Sequence, residues 1–311
     1  GISSMGSTPG AFRFSRDVLR HGIVDLLFEE AAVNDASNGQ SEREALRGME
    51  GIVRQARLAN PAIDIVLLHF ANPENIKLIT EGKPPPVIAS HERIAEHYAV
   101  PSIDLAREVA ERIRAGEFTW AKDFRDVHPS AFGHELYARA VGRLFDAAWK
   151  LPAPADAAVH PHTLPAPLDD NSYFRGRLVD PRQAAIVSGW SRVPDWQPAD
   201  KIGTRAGFVH VPMLVAEEPG ATMRLKFEGT AVGLFIAAGP DAGTVEFSVD
   251  GGAVSKRDLF TQWSPSLHLP WAQVLAADLA PGPHELELRV GASANARSKG
   301  HAVRIVNFLV N

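Results

Sequence analysis

The chain has 311 residues, 45 % of them hydrophobic, with 37 acidic against 32 basic side chains and a formal net charge of -5. At roughly 150 residues per domain it is long enough for about two domains with cores of their own, and its mixed charge argues against nucleic acid or an anionic membrane as a partner. There is no cysteine, which excludes disulfides, thiolate metal sites and cysteine nucleophiles, and no apolar run reaches the length of about 18 residues that a membrane helix needs.

In chain order, "IVDLLFEEAAV" (23–33) predicts a buried parallel strand that stops at Asn34-Asp35. "SEREALRGMEGIVRQARLANP" predicts a helix ending at Asn60-Pro61, and "IDIVLLHF" a second strand. "VIASHERIAEHYAV" reads as helix, "PSIDL" as a short strand and "AREVAERIRAG" as a helix closed by Gly116. A last helix follows "DVHPS", with Ser130 as its N-cap and Leu136, Tyr137, Ala140 and Leu144 on its apolar face. Strands alternating with helices imply a parallel sheet covered on both faces. From 151 to 182 the chain turns proline-rich, as in "LPAPADAAVHPHTLPAPLDD", and reads as a linker or a strap laid over the first domain. From 183 to 311 short strands separated by turns such as "VDGG" and "APGPH" predict a β-sandwich. The expected organisation is an α/β domain over 1–150, a linker over 151–182 and an all-β sandwich over 183–311.

Two polar clusters fall where open α/β sheets place their sites, at the carboxyl ends of strands. Asn34-Asp35 follows the first readable strand, and Asp126 and His128 follow the last short one. A histidine beside a carboxylate can act as general base, and an asparagine amide can donate to a developing oxyanion. That combination calls for a serine nucleophile. Other polar residues invite structural readings: His69 and His134 as structural, His91 and His97 as surface groups, Glu30 as a strand-edge charge, and Asp35 as a local turn residue. The histidines of "HPH" (160–162) carry no metal expectation. Four tryptophans, Trp190, Trp196, Trp263 and Trp271, fall in the sandwich, and core packing is the leading reading for each. "FTQWSPSLHLPW" is the candidate for an exposed aromatic loop that could stack on a sugar.

At these residues the chain resembles the SGNH hydrolases, the GDSL-type esterases. "AVND" (32–35) is similar to their G-x-N-D block, "DVHPSAFGH" (126–134) to their D-x-x-H block, and "GISSMGSTPGAFR" (1–13) to their glycine loop. The resemblance implies a flavodoxin-like parallel sheet followed by a jelly-roll-like sandwich, and a serine esterase acting on O-acetylated carbohydrate. It implies His128 as the catalytic base and Asp126 as its acid, with Asn34 and the Ser4-to-Gly6 backbone as oxyanion donors; no metal or organic cofactor is implied. Ala32 stands where the family has glycine, and Arg125 where it has the acid. Asp123, or a backbone carbonyl orienting the imidazole, is therefore an alternative to Asp126. No G-D-S tripeptide occurs in the sequence. The family's first strand, its nucleophile and any signal peptide are expected upstream of Gly1, which would leave this chain inactive as it stands, with an extracellular or periplasmic home plausible for a polysaccharide substrate. Ser3, Ser4 and Ser7 are substitutes for the nucleophile at a position that in the family supplies a backbone donor. Two rivals stand beside this reading: a non-catalytic carbohydrate-binding protein with a pseudoenzyme α/β domain, and a metal-dependent phosphoesterase using Asp35, Asp126 and His128.

Overall fold

A computed structural model describes residues 4–152 and 158–311; Ser3, among the substitutes named above, lies outside them. The chain divides into two units, Gly1–Phe174 and Arg175–Asn311.

In the first unit three parallel strands, β1 (Leu26–Glu29), β2 (Asp64–Leu68) and β3 (Ser102–Ile103), pair in the order β1-β2-β3. β2 is buried from Ile65 to Leu68, as a central parallel strand must be. Helices α1 (Ser7–Asp17), α2 (Ala32–Ser37), α3 (Glu42–Ala59), α4 (Pro73–Thr80), α5 (Pro86–His97), α6 (Leu105–Arg114) and α7 (Ala131–Trp149) surround the sheet. Their starts are chemically marked. Ser41 accepts the Glu44 N–H, Asn72 that of Asn75, and Asp104 that of Arg107. Ser130 does occupy the N-cap position of α7, but its hydroxyl makes no capping bond and donates to the Asp123 carbonyl.

The stretch expected as a strand over 23–33 divides. Only Leu26–Glu29 pairs, and Asn34 and Asp35 lie inside α2 rather than on a strand end. The cause is Glu30, whose Oε1 accepts the Val33 N–H at 3.1 Å and starts a helix where hydrophobicity alone continues the strand.

The expected domain boundary also shifts, from 150 to 174. Residues 162–173 follow the strap alternative and are bound to α3, a helix whose residues Ala45–Arg57 are all buried. Arg57 donates to the Thr163 carbonyl at 2.9 Å, Arg54 to that of Pro165 at 2.6 Å, and Glu50 accepts the Leu168 N–H at 2.6 Å. Arg47 pairs with Asp169 at 2.8 Å. Tyr173 closes the strap: its backbone comes so near Gly51 that a Cβ there would stand 2.7 Å from the Tyr173 carbonyl carbon.

The second unit is an antiparallel sandwich that begins at 177, before the expected 183. Its strands are β4 (Arg177–Val179), β5 (Ala185–Ser188), β6 (Ser191–Trp196), β7 (Val211–Ala216), β8 (Thr222–Glu228), β9 (Val232–Ala238), β10 (Thr244–Val249), β11 (Ser255–Asp258), β12 (Leu269–Ala276), β13 (Pro283–Val290) and β14 (Val303–Val310). One sheet runs β11-β10-β13-β8-β5; the other runs β12-β9-β14-β7-β6, with β4 also paired to β14. Alternation shows best in β8, where Met223, Leu225 and Phe227 point inward between exposed Arg224 and Lys226. Trp190 and Trp196 are buried, and Trp271 packs against the core from β12, a strand inside the stretch expected as a loop. Trp263 alone of the four is exposed, at 42 %.

Candidate active site

The first polar cluster is built by α2 against the segment entering α1. Asn34 donates through Nδ2 to the Met5 carbonyl at 2.9 Å, and Asn38, one turn on, donates to the Ser4 carbonyl at 2.9 Å. Between them Asp35 is 2 % exposed and is no local turn residue: it accepts the Ser7 N–H at 2.8 Å and the Ser7 hydroxyl at 2.6 Å. Gly6 is required here, since a Cβ would lie 1.9 Å from Asp35 Oδ1. Ser4 adopts a left-handed backbone, φ 65°, which is uncommon for a residue with a side chain. Ser7 is fully buried with its hydroxyl committed to Asp35, so it is not presented as a nucleophile.

Beside this loop a groove of about 410 Å³ follows the side of β1 that carries no partner strand among the described residues, lined by Met5, Gly6, Phe14, Phe28, Glu30 and Asn34, among others. Crowding by protein, reinforced by Glu30 and Asp35, pushes the Glu29 carboxyl up to about 8. Glu30 rises to about 7, again chiefly by burial, even though the Val33 and Phe70 N–H groups oppose the shift. Glu30 is thus a helix-starting acceptor beneath the cluster, not the strand-edge charge expected of it. Behind it, fully buried His69 meets Glu92 at 2.5 Å. His91, expected at the surface, is also fully buried, with Nε2 3.3 Å from Asp35 Oδ2. The helical period of α5 turns His91 inward and leaves His97 outside, where it bonds the Ala166 carbonyl at 2.7 Å.

The second cluster sits on the loop before α7. His128 Nδ1 lies 3.6 Å from Asp126 Oδ1, and the same oxygen accepts the His128 N–H at 3.3 Å. The His128 side chain is 93 % exposed. Asp123, the alternative acid, is occupied elsewhere: its carboxylate accepts the Thr119 N–H at 2.8 Å, while Thr119 caps the π-helical turn Trp120–Phe124 by accepting the Lys122 N–H. That turn ends at Arg125 with φ 77°, a second left-handed non-glycine backbone within a candidate cluster. Buried Phe124 anchors the loop on Tyr137, ring centroids 5.6 Å apart, and the Tyr137 hydroxyl accepts the Ala71 N–H just past β2. Burial, with Glu30 adding to it, pushes the Tyr137 phenol up to about 12. Both clusters therefore belong to the carboxyl edge of the sheet. Asn34, Ser4 and Gly6 come together in one and Asp126 and His128 in the other.

Sequence reasoning missed Asn38 and His91. A four-residue spacing from Asn34 to Asn38 was the available signal for the first, but it has meaning only once 32–37 is helical. His134 is exposed on α7, and His162 reaches Asp64 at 3.2 Å; neither joins a cluster.

No family model matches the chain, and no curated protein matches it in sequence. Solved structures do. A two-domain esterase (CEX) active on acetylated mannans is similar over 100 % of this chain and 78 % of its own, with a TM-score of 0.76 and 20 % identity. A structure of such an esterase co-crystallised with mannopentaose has the same coverage, a TM-score of 0.75 and 21 % identity. The likeness establishes the fold: this chain has the two-domain architecture of those esterases, a parallel α/β unit followed by an antiparallel sandwich.

Proposed function

We propose that the protein is a carboxylic ester hydrolase of the SGNH kind that removes O-acetyl groups from a polysaccharide. The observation that supports this reading is Asn34, on α2 just beyond β1, bonded to the Met5 carbonyl, together with the His128–Asp126 pair on the loop before α7, in a fold shared with esterases. In this reading a serine Oγ attacks the ester carbonyl carbon while His128 takes its proton. The tetrahedral intermediate collapses, the sugar alcohol leaves with that proton, and water then cleaves the acyl-serine bond by the same route. Asp126 orients His128, and its 3.6 Å approach favours it over Asp123, whose carboxylate holds Thr119. Asn34 spends one amide hydrogen on Met5 and keeps the second for the oxyanion. Each such donor is worth about 10² to 10³ in rate. A metal-dependent phosphoesterase is disfavoured because Asp35, one of its three ligands, is buried with both oxygens bonded to Ser7.

The test is hydrolysis of p-nitrophenyl acetate by the 311-residue chain and by a form extended upstream to the nearest in-frame start, each with and without His128→Ala. The expected result is turnover in the extended form, lost by about 10³-fold or more with His128→Ala, and only weak turnover in the shorter chain, which has no G-D-S. Turnover indifferent to His128→Ala sinks the reading. If both forms fold and are inert, the non-catalytic carbohydrate-binding alternative takes its place. Trp263 favours that alternative: 42 % exposed, it projects from a loop braced by the bond from the Thr261 N–H to Ser264 Oγ at 3.0 Å.

A further inference from the structure

The three polar side chains of α2 and its cap do more than fill space around the loop they touch. Asn38 holds the Ser4 carbonyl and Asn34 the Met5 carbonyl, each at 2.9 Å. No peptide bond among the described residues is cis, and in a trans peptide the N–H points opposite to the C=O. Pinning those two carbonyls toward α2 therefore aims the Met5 and Gly6 N–H groups away from α2, at the end of the loop that lines the groove. The next N–H, that of Ser7, is drawn the other way, into Asp35 at 2.8 Å. Asp35 thereby caps α1 from outside, since Gly6 has no side chain to do so. Gln40 adds a fourth hold, donating to Thr8 Oγ1 at 2.6 Å.

We infer that Asn38 and Asp35 are positioning residues for the oxyanion site: together with Asn34 they clamp residues 4–7 so that two consecutive backbone N–H groups, Met5 and Gly6, face the substrate oxygen. The inference rests on the hydrolase reading above and adds to it two residues that touch no substrate. Asn34 then serves twice, one hydrogen holding the loop and the other reaching the oxyanion. His91, 3.3 Å behind Asp35, walls the carboxylate into place.

The experiment compares Asn38→Ala, Asn38→Asp and Asp35→Asn with the unsubstituted protein, in whichever form hydrolyses p-nitrophenyl acetate, with His128→Ala as the control for the underlying reading. Asn38→Ala should lower kcat about 10-fold while KM stays within about twofold, because misaimed donors weaken the transition state and leave ground-state binding alone. Asn38→Asp, which sets a carboxylate against the Ser4 carbonyl, should lower kcat at least as far. In the 311-residue chain, where no turnover is needed, the 15N heteronuclear NOE of Met5 and Gly6 should match that of α1 and fall in Asn38→Ala and Asp35→Asn. Unchanged kcat in both Asn38 variants, with His128→Ala inactive, overturns the positioning role and leaves the hydrolase reading standing. Unchanged NOE values overturn the clamp whatever the activity. Turnover that survives His128→Ala, or none in either form, overturns the hydrolase reading and this role with it.

Discussion

Glu29 and Glu30, successive residues at the carboxyl end of β1, keep protons that a solvated carboxyl sheds near pH 4.5, Glu29 up to about 8 and Glu30 to about 7. Their folded values lie above their unfolded ones, so between about 4.5 and 8 the folded state binds more protons, and stability falls as pH rises through that window. The first unit should melt at a higher temperature at pH 5 than at pH 8, and Glu29→Gln should flatten that difference. A pH-independent melting temperature in the unsubstituted chain contradicts the expectation. At this scale the sequence singled out His128, Asp126 and Asn34 as candidates, because their residue types beside a proline or after an apolar run are conspicuous by themselves. It could not expose Asp35 or His91 as partners, since what joins them to Ser7 and to each other is proximity across 28 and 56 residues of chain.

At the scale of elements, α3 shows how a helix predicted from its apolar period can still surprise. Leu46, Met49, Ile52 and Val53 mark a buried face, yet Arg47, Glu50, Arg54 and Arg57 are buried as well. The strap over 162–173 covers the polar face and supplies carbonyls and N–H groups that match it. Glu50 is the hub, accepting from Leu168 and Asp169 N–H and from the Tyr98 hydroxyl at 2.6 Å. Glu50→Ala strands those donors and the nearby buried arginines, and should cost about 3–5 kcal/mol, measured as a loss of unfolding free energy in urea. A loss under about 1 kcal/mol is the size expected of a surface charge and would show that the strap contributes little. The helix α2 is the opposite case: too short for a period, started by Glu30, and read from sequence as the end of a strand.

At the scale of the molecule, the sandwich has its own core, with Leu225, Leu234, Phe247, Leu288 and Phe308 among its members, and its first strand β4 pairs with its last, β14. Residues 175–311 expressed alone should therefore show a β-rich circular dichroism spectrum and a single cooperative melt, as a unit with a closed core does. A gradual, non-cooperative transition would show that the sandwich depends on the first unit.

What the sequence by itself determined was local in origin: alternation of strand and helix in the first unit, alternation of inward and outward residues in the second, the turn chemistry between them, and the residue types of the His128 and Asn34 clusters. Those follow from period, capping and turn preference, which act over a few neighbours. Tertiary structure alone decided which carbonyls Asn34 and Asn38 hold, that Asp35 caps a helix far from it in sequence, that His91 turns inward, and that a proline-rich stretch lies on α3 instead of hanging free. Each of these depends on desolvated polar groups finding partners across the fold, and a buried donor or acceptor is satisfied by whatever the packing brings within about 3 Å, however distant in the chain.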